Sequence, residues 1–375
     1  MQWYYVANAR MPSEKAHGIQ IAKMCEALVE AGVAVVLVVP WRFGEKTTLK
    51  TFYGLRVDVP IIRLPSIDLY ARGRVGYYVS SLFFMMVSFL FLFSKKMRGE
   101  KCIVYTVDLD NFSSSGLAYL GLPLFSEMHG GKPVVLAQKV LFRSVRGIIA
   151  INKHIIAELQ KKFPLSPARY LVEPNGVDAT QFYPRDKTAA RQELTIPFDQ
   201  AVVLYTGRFF AWKGLESLAE AAALTPNTSW YIVGGTRESF CRVIHTDTAP
   251  DNMIFMGDQP YATMPTWIAA ADALVVLGTK RDMQSYWYTS PMKLFEYLLS
   301  GRPIVASATP AIQEIVSDRE VFLYEPDNAQ DLARQISAAL AESAQGAERI
   351  VQAERLGRNF SWQARAARVA AFVGK

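Results

Sequence analysis

Two basic residues follow a strand-like apolar run in the second half of the sequence. Residues 202–205 are followed by Gly207, Arg208 and Lys213. Ligands of parallel α/β sheets bind beyond the carboxyl ends of the strands, and a guanidinium together with an ammonium group suits the oxygens of a diphosphate. The glycine permits a close backbone turn before the two cations. The pattern therefore predicts a diphosphate site, with a solvated surface pair as the alternative.

A second segment of the same half combines a helix start with a carboxylate. Ser290 is the expected N-cap and Pro291 the expected first helical residue, so that the amides of Met292 and Lys293 point at a phosphate with the positive end of the helix dipole. Glu296 lies on the same helical face, where its carboxylate can accept hydrogen bonds from the paired hydroxyls of a ribose. A surface carboxylate paired with Lys293 is the alternative interpretation.

The first half of the sequence offers weaker candidates. A polar loop after residues 3–7 ends at His17 and Gly18, where the amides of a helix start could face a ligand, although a simple helix entry fits equally well. Asp108 and Asp110 follow another strand-like run, and two such carboxylates can share a hard cation with phosphates. We favour acceptor hydroxyl binding or a loop cap for them, because they lie far from the two cations in sequence. No histidine spacing indicates a metal site.

Short apolar runs alternate with helix-length segments along most of the chain. Such continuous apolar runs are typical of parallel strands covered by helices on both faces. The predicted strands are residues 3–7, 33–39, 59–64, 101–105, 124–127, 147–151, 170–172, 202–205, 230–233, 254–256, 273–277, 303–306 and 321–324. A polar stretch with three prolines separates the seventh run from the eighth. The pattern predicts an α/β protein with two Rossmann-like domains, residues 1–175 and 176–359.

Charge and cysteine content restrict the partners and the compartment. The 375 residues include 41 Lys and Arg against 34 Asp and Glu, a net charge of +7, which favours an anionic partner such as phosphates or a membrane surface. Ordinary apolar and charged fractions exclude a disordered or collagen-like chain. The three isolated cysteines exclude a disulfide framework. The first residues lack the features of a secretory signal, so the expected location is the cytoplasm.

One segment, residues 75–93, is long and apolar enough to be a membrane span. Arg74, Tyr78, Ser81, Ser88 and Lys95 are expected to lie on one helical stripe, which favours a buried or surface-lying helix. The segment also lies between two predicted strands that one parallel sheet must hold together. We therefore predict a crossover helix, with peripheral contact to an anionic bilayer at the inner face of the cell membrane as a further expectation.

An ordered set of motifs resembles family 4 of the glycosyltransferases, enzymes of GT-B fold that transfer sugars from nucleotide donors with retention of anomeric configuration. The resemblance covers essentially the whole chain. Its motifs are residues 9–20, 127–129, 174–178, 207–208 with 213–214, 290–297 and 360–365.

The resemblance implies two Rossmann-like domains that face a central cleft, with a last helix, residues 360–375, packed back on the first domain. It implies that Arg208 and Lys213 bind the donor diphosphate, with Gly207 beside them, and that Glu296 binds the ribose. His129 would face the transferred sugar. The family's usual motif also has a glutamate at the position of Tyr288, so the carboxylate expected near the donor sugar is missing here.

The implied activity is retaining, metal-independent hexosyl transfer without a cofactor. The donor would be a UDP-, GDP- or ADP-sugar, and the acceptor a glycan, a lipid-linked molecule or a polysaccharide. Nucleic acid is not an expected partner. A nucleotide-sugar epimerase of the same fold and a non-catalytic nucleotide-sugar-binding subunit are the alternatives.

Overall fold

A computed structural model describes residues 1–42, 47–110, 112–164, 166, 168–341 and 344–375. The chain divides into two compact units, Met1–Pro174 with Trp362–Lys375, and Asn175–Ser361. These bounds lie one or two residues from the predicted ones. Asn175 belongs with the second unit because its backbone amide and its side-chain amide both donate to Ser290.

Regular elements alternate along the chain as the apolar runs indicate. The strands are β1 (Gln2–Ala7), β2 (Val35–Pro40), β3 (Ile61–Leu64), β4 (Cys102–Asp108), β5 (Leu124–Met128), β6 (Gly147–Ala150), β7 (Arg169–Val172), β8 (Ala201–Thr206), β9 (Thr228–Val233), β10 (Met253–Phe255), β11 (Ala273–Val276), β12 (Ile304–Ser307) and β13 (Phe322–Tyr324). The helices are α1 (Ala16–Glu30), α2 (Leu49–Tyr53), α3 (Gly73–Met97), α4 (Leu136–Ser144), α5 (Lys153–Lys162), α6 (Lys187–Leu194), α7 (Leu215–Leu224), α8 (Arg237–Ile244), α9 (Met264–Ala270), α10 (Met292–Leu298), α11 (Pro310–Gln313), α12 (Ala329–Leu340), α13 (Ala344–Gly357) and α14 (Trp362–Gly374). Every predicted strand overlaps an observed one, and the predicted α/β class is confirmed.

The first unit is built on a seven-stranded parallel sheet of order β3-β2-β1-β4-β5-β6-β7. The order reverses between β1 and β4, so ligands of this sheet are expected beyond the carboxyl ends of these two strands. Strand β5 is buried along its whole length, including Glu127. Helix α14 belongs to this unit, where Phe372 packs edge to face on Phe125 of β5 at a centroid distance of 6.2 Å.

Helix α3 connects β3 to β4 within this parallel sheet, and by length and composition alone it could cross a membrane. The single polar stripe predicted for it is wrong. Ser81 and Ser88 are buried against the unit, whereas Tyr78 is 53% exposed. The reason is a tertiary one, because Ser81 meets the side chain of Asn8 after β1, at an Oγ to Nδ2 distance of 3.2 Å.

The second unit is built on a six-stranded parallel sheet of order β10-β9-β8-β11-β12-β13. Alternate residues of β8 enter different core clusters. Val202 and Leu204 pack on one face of the sheet, and Val203 and Tyr205 pack on the other. Both faces are therefore covered, as in doubly wound folds. The order reverses between β8 and β11, which predicts the ligand site beyond the carboxyl ends of these strands.

Candidate functional site

Two ammonium groups converge on Gly207, directly after β8. A Cβ atom at Gly207 would lie 3.1 Å from Lys293 Nζ and 3.6 Å from Lys213 Nζ. Gly207 has a φ of +125°, a conformation that favours glycine. The missing side chain thus leaves space beside the backbone for both cations. Lys293 is the second residue of α10, and Lys213 lies in the segment after β8. The strand and the helix therefore position the two lysines together.

The two lysines form a cluster of like charge. Burial and the nearby Arg208 charge lower the pKa of Lys213 to about 8. Burial and the Lys213 charge hold the pKa of Lys293 well below its usual range, although Glu296 opposes this effect. Lys213 Nζ donates to the Arg208 carbonyl at 2.6 Å, and Lys293 Nζ lies 3.7 Å from the centroid of the Tyr205 ring. An anion bound between the ammonium groups would relieve their repulsion.

A carboxylate whose pKa is close to neutral pH lies one turn further along α10. Glu296 is buried and accepts a hydrogen bond from the Tyr261 hydroxyl at 2.9 Å. Burial raises the pKa of Glu296 to about 7, while Tyr261 and the Lys293 charge oppose the increase. The alternative of a helix-surface carboxylate is therefore wrong. In its ionised form Glu296 is suited to accept hydrogen bonds from hydroxyl groups.

The start of α10 differs from the prediction. Pro291 is the N-cap and Met292 the first helical residue, with no side-chain cap. Ser290 is not the N-cap because it contacts Asn175: its hydroxyl accepts the Asn175 amide at 3.2 Å and its carbonyl accepts the side-chain amide at 2.7 Å. Since α10 has only seven residues, its dipole is a smaller source of charge than the side chains of Lys213 and Lys293. The phosphate contact of the Met292 and Lys293 amides stays a prediction.

Two further features shape this edge of the sheet. A Cβ atom at Gly234, after β9, would lie 2.7 Å from the Gly207 carbonyl oxygen, so the two turns can approach only because Gly234 is a glycine. Tyr288 is buried at the end of a π-helical turn, Gln284–Tyr288, that precedes Ser290. An aromatic residue thus stands two positions before Ser290, where the resemblance places a carboxylate.

In the first unit, a buried carboxylate holds the predicted histidine. Glu127 Oε1 lies 2.9 Å from His129 Nε2, and it accepts hydrogen bonds from Gln20 at 2.8 Å and from Arg365 Nη2 at 2.7 Å. The Tyr105 hydroxyl donates to Glu127 Oε2. Burial alone would raise the pKa of Glu127, but Arg365 and His129 hold it below its usual range. This network fixes the position of the His129 ring.

The helix start at His17 and Gly18 also differs from the prediction. Helix α1 begins at Ala16, and the Gly18 amide donates to the Lys15 carbonyl at 2.8 Å instead of facing outward. A Cβ atom at Gly18 would lie 2.7 Å from the Ser13 carbonyl, so close packing explains this glycine. His17 is partly buried, and burial with the charges of Lys15 and His129 lowers its pKa to about 4.

Asp110, which follows β4, has a structural role. The Asp110 carboxylate accepts the backbone amides of Phe112 and Ser113 at 2.9 and 2.7 Å, and the side-chain amide of Asn8 at 2.8 Å. It is therefore a loop cap, one of the two roles favoured for it. The side chain of Asp108 lies outside the described residues. Within the described ranges, no group of three potential ligand residues could hold a metal ion.

Sequence reasoning missed three participants in these sites. Glu127 is part of a motif in the sequence analysis, and its place inside an apolar strand is a signal for a buried charge network. Arg365 and Tyr261 carry no such signal, because each meets its carboxylate through the fold. For Lys293 the sequence predicts a role of the backbone amide, whereas the structure shows that its ammonium group reaches Gly207.

Comparisons of sequence match part of the chain to known proteins. Residues 186–357 match the family described as glycosyl transferases group 1. The D-inositol 3-phosphate glycosyltransferase of Mycobacteroides abscessus is 29% identical over 208 residues, which cover 53% of this chain and 45% of that protein. The match thus spans less than half the length of this relative.

Comparisons of structure extend over both units. Sucrose-phosphate synthase from Thermosynechococcus elongatus has a TM-score of 0.77 at 19% identity, over 99% of this chain and 98% of that chain. Anabaena HepE, crystallised with UDP and glucose, has a TM-score of 0.72 at 18% identity over all of both chains. At this identity the likeness concerns the fold. The match to the group 1 glycosyl transferases therefore lies within the second unit, and the chain as a whole has the α/β fold of the GT-B glycosyltransferases it resembles in structure.

Proposed function

We propose that this chain is a retaining glycosyltransferase of family 4 that uses a nucleoside diphosphate sugar as donor. The observation that carries the proposal is the convergence of Lys213 and Lys293 on Gly207, at the point where the strand order of the second unit reverses. Three cationic groups, those of Arg208, Lys213 and Lys293, suit the two charges of a diphosphate. Glu296 is suited to the ribose hydroxyls.

A uracil nucleotide is the donor class with the most support. Anabaena HepE, which shares the fold over its whole length, was crystallised with UDP and glucose. The name of the mycobacterial relative supports sugar transfer to a hydroxyl acceptor. We propose UDP-sugar as the first donor to test, ahead of GDP-sugar and ADP-sugar.

The proposed reaction is a front-face substitution. The bond between the anomeric carbon and the diphosphate oxygen breaks, and an acceptor hydroxyl forms its bond to the same face of that carbon. The departing diphosphate takes the acceptor proton, while Arg208, Lys213 and Lys293 stabilise its negative charge. A double displacement would instead need a carboxylate nucleophile, and Tyr288 stands where the resemblance places one. His129 would contact the transferred sugar, and activity is expected to persist in EDTA because side-chain cations supply the charge.

We further propose that the chain acts in the cytoplasm, at the inner face of the membrane, on a glycan, polysaccharide or lipid-linked acceptor. The positive net charge and the exposed apolar side chains of α3 support this location. All three cysteines are free and buried, which suits a reducing compartment.

A nucleotide titration tests the donor assignment. UDP should raise the unfolding temperature of the full chain by mass action, and uridine, which lacks the diphosphate, should raise it far less. If uridine, UDP, GDP and ADP all left the unfolding temperature unchanged, the diphosphate site would be refuted.

The affinity for UDP should fall both as pH drops below about 7 and as pH rises above about 8. Glu296 has a pKa of about 7 and accepts ribose hydroxyls when ionised, so binding weakens as pH falls below that value. Lys213 has a pKa of about 8 and binds phosphate when protonated, so binding weakens as pH rises above it. Tyr261 and Lys293 face Glu296, and Arg208 and Lys293 face Lys213. Binding then requires both groups charged.

Glu296→Gln provides the matched control for this pH profile. Calorimetric titration of the variant should show weaker UDP binding and no loss attributable to Glu296 below about pH 7, while the alkaline limb persists. Any acid dependence that comes from the nucleotide phosphate appears equally in both proteins. An acid limb that is identical in the variant would contradict the role of Glu296.

A further inference from the structure

Helix α3 presents a continuous row of large apolar side chains to solvent. These side chains form the outer stripe, and each is between 40% and 74% exposed. The outer stripe consists of Val75, Val79, Leu82, Met86, Leu90 and Phe93. Their spacing of three and four residues places them on one face of the helix.

The opposite face of α3 carries the small polar residues, and they point into the unit. Ser80 Oγ accepts the Leu69 amide at 2.9 Å, and Ser81 Oγ lies 3.2 Å from Asn8 Nδ2. Ser88 is fully buried. A surface helix of a soluble domain buries its apolar face and exposes its polar one. Helix α3 buries Phe84 and Leu92 together with these serines, yet it leaves the whole outer stripe in solvent. An exposed apolar patch of this kind marks an interaction surface.

Both ends of the helix are basic. Arg72 and Arg74 are exposed at its start, and Lys96 and Arg98 are exposed at its end. Residues 70–98 contain no aspartate or glutamate. An apolar stripe between two cationic ends is complementary to the acyl layer and the phosphate groups of an anionic bilayer. If the α3 helices of two copies of this chain packed on each other, parallel or antiparallel, their basic ends would meet and repel. A second copy is therefore a less suitable partner than an anionic bilayer.

The contacts of Ser80 and Ser81 with the rest of the unit determine how α3 can bind a bilayer. A spanning helix would be surrounded by lipid, whereas α3 is held along one side by its own unit. We propose that α3 lies parallel to the membrane plane, with the outer stripe in the interfacial layer and the terminal arginines and lysines on lipid phosphates. At a rise of about 1.5 Å per residue, the 25 residues give a contact about 37 Å long.

The placement of α3 also bears on the acceptor, an inference that rests on the proposed function. Ser81 contacts Asn8, which follows β1 and donates to Asp110 after β4. Helix α3 is thus joined to the carboxyl edge of the first sheet, where the ligand of that sheet is expected. An acceptor reaching this edge from the bilayer would be attached to a lipid. Among the three acceptor classes, the structure favours the lipid-linked one.

Vesicle flotation of the full chain tests the docking surface. The wild type should bind vesicles of phosphatidylcholine with about one third phosphatidylglycerol more tightly than pure phosphatidylcholine vesicles. Leu82→Glu with Leu90→Glu should reduce binding to the anionic vesicles about tenfold or more, because two charges enter the acyl layer. Arg74→Gln should reduce it about fivefold. Val351→Glu, on the exposed face of α13 in the second unit, is the matched control and should bind like the wild type.

Several results would contradict the proposal that α3 binds the membrane. They are equal binding of the Leu82→Glu, Leu90→Glu variant, absence of the wild type from both kinds of vesicle, and retention of the wild type on vesicles in alkaline carbonate, which indicates a span. Dimers in ultracentrifugation that the double variant abolishes, without vesicle binding, would assign the stripe to a second copy. The UDP-induced rise in unfolding temperature is measured in parallel and reports on the proposed function separately, because the outer stripe has no part in donor binding.

Discussion

Replacing Lys293 by methionine is expected to reduce turnover by about 100-fold or more, since one preorganised charge that stabilises the leaving diphosphate is lost. The stability measured without nucleotide should stay the same or increase. Burial and the Lys213 charge hold the pKa of Lys293 well below its usual range, and methionine fills a similar volume without a buried charge or that repulsion. A purely structural lysine would give the opposite pattern, with lower stability and normal binding.

Two measurements separate these outcomes. Calorimetric titration with UDP reports binding, and scanning calorimetry without nucleotide reports stability. Lys187→Met is the matched control, because Lys187 is exposed and pairs with Asp272 at 2.8 Å, before the amino end of β11 and therefore at the opposite edge of the sheet. The control should bind UDP like the wild type. Unchanged UDP affinity in Lys293→Met would remove Lys293 from the site.

Replacing Arg365 by methionine should destabilise the first unit by about 3 to 5 kcal/mol, since it leaves a buried carboxylate without its cation. Glu127 is fully buried and 2.7 Å from Arg365 Nη2. In the wild type, the lowered pKa of Glu127 stabilises the fold above the pKa of an unfolded glutamate, and this stability is lost as pH falls below it. In the variant, burial raises the pKa instead. The stability deficit of the variant should therefore shrink as pH falls from neutral toward about 4.5, the ordinary pKa of a glutamate.

Hydrogen exchange locates this effect in the chain. Backbone amides of β4 and β5 should exchange faster in Arg365→Met, while those of β8 and β9 in the second unit serve as an internal reference. Adding Glu127→Gln to Arg365→Met should recover much of the loss, because both charges are then removed together. If the single variant exchanged like the wild type, or if the double variant were worse by the sum of both losses, the buried pair would not be the cause.

The features that can be predicted from the sequence are those that depend on residues close together in the chain. Apolar runs of strand length predicted both sheets, because a strand buried on two faces has no polar alternation. Arg208 and Lys213 were found because they follow a strand directly. The same reasoning placed Glu296 one turn after the start of α10.

The remaining features depend on contacts between distant residues. Arg365 meets Glu127 across 238 positions of sequence. Ser290 is drawn away from its expected capping role by Asn175, 115 residues earlier. Ser81 of α3 faces the unit, where it accepts a hydrogen bond from the side-chain amide of Asn8, 73 residues earlier. In each case a hydrogen bond made only in the folded unit outweighs a local preference, so periodicity and capping rules could not predict it.

The anomeric configuration of the first product tests the central claim most directly. With water as a slow acceptor, hydrolysis of an α-linked UDP-sugar can be followed by proton nuclear magnetic resonance before the anomers of the free sugar equilibrate. The front-face reaction predicts that the α-anomer forms first, in the presence of EDTA as well, and that Lys293→Met slows its formation. A β-anomer formed first would contradict retention and the account built on it.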